Sequence, residues 1–266
     1  AAFTHGPALR TLVASFFTTP RGRRPAQFAG IDNYLHLASD EVFWQALRNN
    51  LLYAGLTIPL AMGLALTMAI IVNRALAERA FLRMAFFTPT VLPLIAVANI
   101  WLFFYQPGFG LIDQVRALFG LPASNILGQN SSALYGIAAV TVWKEAGFFM
   151  IFYLAALQTI PPMLIDAARL EGASRWQIFR RITLPLIMPT TLFIGINAVV
   201  NAFRMVDHIY QMTGGGPNNA STLLYFYLYQ VAFQFWDTAY AATITTVLVA
   251  ILASVAVVQF VYADRR

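Results

Sequence analysis

Few residues in this chain can do chemistry, and most of them fall inside apolar segments. Lys144 and Glu145 stand side by side in the middle of the otherwise apolar run Ala133–Leu157. An ionisable group at the centre of a bilayer costs at least ~2.5 kcal/mol, so it is read first as functional or as paired. Neighbours on a helix point about 100° apart, so these two do not simply neutralise each other. Either they form a structural ion pair with another helix, or one faces a polar pathway. Asn197 and Asn201 are four apart and share a helical face that should not meet lipid. Arg204 and Asp207, three apart just after the run Ile182–Phe203, suit a local salt bridge or a solute contact. Asn99 adds one more polar group within a run. Phe103, Phe104, Tyr105, Trp143, Phe148 and Phe149 could offer rings to a sugar, although aromatic residues at span ends more often form the interfacial belt.

Other chemistry is excluded. There is no cysteine, hence no disulfide, thiolate metal site or cysteine nucleophile. The histidines His5, His36 and His208 are scattered, and neither Gly-x-Ser-x-Gly nor His-Glu-x-x-His occurs. Thr213-Gly214-Gly215-Gly216-Pro217 invites comparison with a phosphate-cradling loop, which requires Gly-Lys-Ser/Thr after its glycines. Pro217 and Asn218 follow instead, and Lys144 is the only lysine among 17 basic residues. The chain cannot bind ATP in that way. A tight turn between two spans explains these glycines on their own.

The elements that position these groups are set by composition. Hydrophobic residues make up 59% of the 266, charged residues 11%, and the mean hydropathy is +0.65. A soluble domain carries about 25% charged residues, so a bilayer is the natural solvent. No basic patch with interleaved aromatics turns the net charge of +6 into a nucleic-acid site. Leu51–Val72, Met84–Tyr105, Ala133–Leu157, Ile182–Phe203 and Thr238–Tyr262 are each long enough to cross as helices. Pro59, Pro89, Pro93 and Pro189 should kink or unwind them locally. Residues 1–46 read as the tail of a first span, Ala1–Phe17, whose beginning is missing, followed by an outer loop. Residues 47–266 read as one transmembrane domain of an all-α polytopic protein. With the C-terminus inside, nine arginines lie on the inner side (Arg74, Arg79, Arg83, Arg169, Arg175, Arg180, Arg181, Arg265, Arg266). Five lie outside, with Arg21, Arg23 and Arg24 as the dissenting cluster. The positive-inside rule therefore places the loop 161–181 in the cytoplasm.

That loop is a helix–glycine–helix unit. Pro161 and Pro162 end the preceding span, and Pro162 suits the first turn of a new helix. Gly172 can take the left-handed geometry that stops it. Ser174 and Gln177 form a capping-box pair that starts a second short helix. Trp176, Ile178 and Phe179 give that helix an apolar side, and Pro185 marks return to the membrane. Such a knob suits a groove on another protein; the alternative is an amphipathic helix lying on the membrane.

Asp166-Ala167-Ala168, then Gly172, then Ile182-Thr183-Leu184-Pro185 resembles the cytoplasmic coupling loop of permease subunits in binding-protein-dependent ABC importers. Phe28-Ala29-Gly30-Ile31-Asp32-Asn33-Tyr34, Asn49-Asn50, Pro107–Leu111, Leu154–Pro161 and Met212–Pro217 are similar to segments of the carbohydrate branch, the maltose and glycerol-phosphate type. The resemblance implies a six-span permease fold, with ATPase coupling through Asp166, Ala167, Ala168, Gly172, Ala173, Ser174 and Trp176. It puts the solute path in the fourth and fifth spans, with Lys144, Glu145, Asn197, Asn201, Arg204 and Asp207 as candidates. Thr213, Gly214, Gly215, Gly216 and Pro217 become an outer-face loop. It further implies a bacterial inner membrane, a second permease, two ATP-binding subunits and an extracytoplasmic solute-binding protein. ATP and Mg would sit on the ATPases and no cofactor on this chain. The family usually has Glu where Asp166 stands, one methylene longer. A secondary transporter is the alternative; it predicts inverted repeats and mid-membrane carboxylates, and Glu145 is the one mid-span acid.

Overall fold

The computed structural model describes residues 2–22, 24–74 and 79–264. Arg23, Arg265, Arg266 and the side chain of Arg79, all used in the orientation count, lie outside the described residues. The described elements are helical. In chain order they are α1 (Ala2–Ala14), α2 (Asp32–Ser39), α3 (Glu41–Arg74), α4 (Arg79–Val91), α5 (Leu94–Phe104), α6 (Leu111–Leu118) and α7 (Ala133–Gln158). There follow α8 (Pro162–Leu170), α9 (Arg175–Ile178), α10 (Leu184–Leu186), α11 (Met188–Arg204), α12 (Asp207–Met212), α13 (Leu224–Tyr229) and α14 (Thr238–Asp264). Wide π-type turns, Phe179–Thr183 and Gln230–Gln234, join α9 to α10 and follow α13.

Three helices are long and apolar enough to cross a bilayer alone: α3, α7 and Thr238–Gln259 of α14. Two bent helix pairs are long and apolar enough only when taken together, Ala80–Val91 with α5 at 99° and Arg175–Leu186 with α11 at 66°. The expectation of one helix over Met84–Tyr105 is thereby corrected. The break falls at Leu92–Pro93, where proline removes a helical donor. Pro189 is the second residue of α11, where a missing N–H costs nothing because the first turn has no acceptors for it. Pro59 behaves otherwise than expected: α3 is continuous through it.

The chain divides into two compact units. One comprises Tyr53–Asn125 and Tyr135–Ala202. Its core sets Ala61, Ala65, Ala69 and Val72 of α3 with Ala146, Phe149, Met150, Tyr153 and Leu157 of α7. Alanines four apart present one smooth stripe, which lets helices approach closely in a bilayer, where packing replaces the hydrophobic drive. Gly147 has the same effect on α4, because a Cβ there would collide with the Phe86 carbonyl. The span window of α7 is 61% buried against 28% for α3 and α14, so of these three α7 is the most enclosed by protein.

The other unit comprises Ala1–Leu52, Ile126–Leu134 and Phe203–Arg266. Here α1 runs beside α14, tied by Ala239 N–H to Thr19 Oγ1 (2.9 Å) and Thr243 Oγ1 to the Ser15 carbonyl (3.3 Å). Asp40 caps the start of α3, accepting from the N–H groups of Val42 (2.9 Å) and Phe43 (3.1 Å). Its second oxygen accepts from the hydroxyls of Tyr227 and Tyr240, fastening α13 and α14 to that cap.

Candidate functional site

The knob after α7 forms as its residues dictate. Pro162 opens α8, and Gly172 ends it at φ +79°. Gly172 N–H bonds the Arg169 carbonyl (3.0 Å) and Ala173 N–H bonds that of Ala168 (2.9 Å). This bond pair closes a helix C-terminus through a left-handed residue. Ser174 then caps α9 reciprocally: Gln177 N–H donates to Ser174 Oγ (3.3 Å) and Ser174 N–H to Gln177 Oε1 (2.7 Å). Asp166 pairs with Arg169 one turn on, at 3.1 Å and in the open. Ala167 is exposed as well, and Ala168 and Ala173 are half-buried. The apolar side expected for α9 is divided, since Ile178 is buried while Trp176 is 66% exposed and stacks on Phe179. With Met163 82% and Leu170 90% exposed, the knob presents large apolar side chains that this chain leaves uncovered.

The mid-span charges do not form the expected ion pair with another helix among the described residues. Lys144 Nζ donates to the carbonyls of Pro89 (3.1 Å), Thr90 (3.1 Å) and Leu92 (2.7 Å), at the end of α4. Glu145 Oε2 accepts from Asn201 Nδ2 of α11 at 3.0 Å. The face shared by Asn197 and Asn201 is split in its partners, because Asn197 Nδ2 bonds the Phe193 carbonyl of its own helix (2.8 Å). The local salt bridge expected for Arg204 and Asp207 is corrected: α11 ends at Arg204 and α12 begins at Asp207. The intervening break removes the one-turn spacing, both side chains are exposed, and no ion pair joins them among the described residues. Arg204 instead lines an apolar groove with Arg10, Tyr225 and Leu248. Of the candidate rings, Tyr105 and Phe149 are buried, and the Tyr105 hydroxyl bonds the Gly136 carbonyl (2.9 Å). Phe103 is exposed, while Phe104, Trp143 and Phe148 are half-buried.

The glycine-rich loop is a knot built on its own hydroxyls. Thr213 Oγ1 and Ser221 Oγ share a hydrogen bond (2.7 Å), and Thr222 Oγ1 donates to the Gly215 carbonyl (3.0 Å). Gly215 sits at φ +84° where a Cβ would strike Thr222 and Phe226. Three side chains at the start of α3 anchor the knot. Gln45 donates to the Asn218 carbonyl (3.0 Å) and Asn49 to those of Asn219 and Thr222. Asn50 Oδ1 accepts from Leu224 N–H (3.2 Å). The polar pair Asn49-Asn50 opening an apolar run was the available signal for these anchors. Asp40 and its tyrosines had no such signal, because their pairing spans about 190 residues of sequence.

Residues 61–266 match the family described as binding-protein-dependent transport system inner membrane component. The chain belongs to this family. It is 32% identical to the probable ABC transporter permease protein YurN of Bacillus subtilis, over 97% of this chain and 89% of YurN. Identity is also 32% to the lactose transport system permease protein LacF of Rhizobium radiobacter, covering 98% and 88% of the two chains. It is 30% to the sn-glycerol-3-phosphate transport system permease protein UgpA of Yersinia pestis, covering 100% and 90%. The fold matches a chain of the bacterial ABC transporter that imports the acidic polysaccharide alginate, with a TM-score of 0.87 over 99% of this chain and 90% of that one. Identity there is 24%, so this likeness speaks for the fold alone. This permease is thus a multi-pass inner-membrane subunit of an ATP-driven importer.

Proposed function

We propose that this permease carries a sugar or sugar-related solute, such as an oligosaccharide, a polyol or a glycerol phosphate, and that the knob 161–181 receives the ATPase stroke. The observation that carries the reading is the rigid, capped helix–glycine–helix unit with Leu170 and Trp176 uncovered. The solute class follows relatives named for lactose and for sn-glycerol-3-phosphate. A second permease, two ATP-binding subunits and an extracytoplasmic solute-binding protein complete the assembly. A structural relative was crystallised with its own periplasmic protein. ATP and Mg belong to the ATPases, since this chain has no Gly-Lys-Ser/Thr. The knob faces the cytoplasm, and ATP binding favours the outward-open state by binding it more tightly than the inward one.

Glu145 and Asn201 are the best-placed path candidates, a carboxylate and an amide joined between α7 and α11. Lys144 serves as a brace, with its donors already engaged. The test is reconstitution in proteoliposomes. This chain alone should hydrolyse no ATP; with its partners, hydrolysis and sugar uptake should both rise when loaded binding protein is added. Uptake driven by an ion gradient without ATP would overturn the reading in favour of a secondary transporter.

A further inference from the structure

Three arginines far apart in sequence line one cavity beside the knob. Arg74 comes from the last turn of α3, Arg169 from α8 and Arg175 from the first turn of α9. Asn73 joins them, over a floor that includes Ile160 and Ile178. The cavity holds about 350 Å³, at the small end of the ~300–1,000 Å³ typical of ligand pockets. Only Arg169 has an acidic partner among the described residues, the exposed Asp166. Arg74 and Arg175 make no ion pair there. Among the described residues, no carboxylate lines the cavity.

We propose that this cavity is a binding site for a phosphate group. A guanidinium presents a planar fork of donors that fits phosphate oxygens in pairs, and its charge persists at any physiological pH. Arg180 and Arg181 are exposed and lie outside this cavity. Arg74, Arg169 and Arg175 are exposed too, but they line one hollow from three separate elements, which concentrates positive charge beside Ile160 and Ile178. The hollow is lined by residues at the ends of α3 and α7, and if those helices cross the bilayer their ends would lie near the lipid headgroups. It rests on the proposed orientation that this is the cytoplasmic leaflet, rich in anionic lipid. The volume suits a headgroup or a free phosphate rather than a nucleotide. An occupant would bridge the end of α3 to both helices of the knob and so bias the knob's position.

The test uses the assembled transporter in nanodiscs of phosphatidylcholine with added phosphatidylglycerol, comparing Arg74→Gln/Arg175→Gln with Arg180→Gln/Arg181→Gln. Both pairs remove the same charge. Native mass spectrometry of retained phosphatidylglycerol should show about fivefold weaker binding per cavity arginine, roughly thirtyfold for the pair, and little change in the control pair. If no lipid is retained, inorganic phosphate titrated calorimetrically into phosphatidylcholine nanodiscs should bind saturably to the parent and not to the cavity pair, which assigns the site to free phosphate. Equal binding by both pairs in both arms overturns the proposal. So does loss of the ATPase subunits from the cavity pair without any anion binding, which makes the hollow a protein interface. Because retention is measured without turnover, its failure is distinct from failure of the transport reading.

Discussion

Replacing Lys144 with Met tests the most heavily bonded polar group in the spans. Pro93 has no N–H, so the carbonyl of Pro89, four residues earlier, loses the donor a continuous helix would supply. The bend of 99° leaves the Thr90 and Leu92 carbonyls at the same broken end. The three donors of one ammonium meet these three acceptors at 2.7–3.1 Å. Methionine is similar in length and apolar, so the variant keeps the packing and removes every bond. The buried Pro89 carbonyl left unsatisfied costs ~1–3 kcal/mol, and the two part-buried bonds contribute about 0.5–1.5 kcal/mol each. Relief of the ammonium's own desolvation works against this. The expected loss is therefore near the low end, about 2 kcal/mol. Pro93→Ala returns one donor of the three, so in the double variant it should recover about a third, ~0.7 kcal/mol beyond additivity. The assay is unfolding of the assembled transporter in nanodiscs, with uptake measured in parallel. A Lys144→Met variant within ~0.5 kcal/mol of the parent, or strict additivity with Pro93→Ala, refutes the account.

Gly172→Val forces a β-branched residue to φ +79°, at a cost of about 1–2 kcal/mol to the turn; uptake should fall while the ATPases continue to hydrolyse, and normal uptake removes the coupling role. Glu145→Gln keeps the size of the side chain and can still bond Asn201, so assembly should survive and transport should drop; loss of assembly on size-exclusion chromatography would instead make Glu145 structural. For Asp40, burial acts to raise the carboxyl pKa, but hydrogen bonds from Tyr227, Tyr240, Phe43 and Val42 outweigh it and hold the group below its usual 3.8. A depressed carboxyl contributes stability that is full above the unfolded value and fades as pH falls through the folded one. Melting of Asp40→Asn against the parent should therefore show a gap at pH 7 that closes below 3.8, and a gap independent of pH contradicts the assignment.

The sequence by itself determined whatever depends on neighbours along the chain. A run of about twenty apolar residues without strand alternation reads as a helix in lipid, so the long helices α3, α7 and α14 were legible from length alone, whereas the bends of the other two runs were not. The knob was legible for the same reason, because a proline at N1, a left-handed glycine and a Ser–Gln box each act within four residues. The spacing of the motif and its family resemblance point to a coupling loop. Tertiary structure decided the pairings between distant segments. Nothing near Lys144 announces that its partners are carbonyls some 54 residues earlier, freed by Pro93. Arg204 and Asp207 read as one helical face until α11 ended between them. Arg74 and Arg175 meet across about a hundred residues at one cavity. Local hydrogen bonding is set by torsions and spacing that the sequence displays. Burial and long-range polar pairing depend on which surfaces the packed helices bring together.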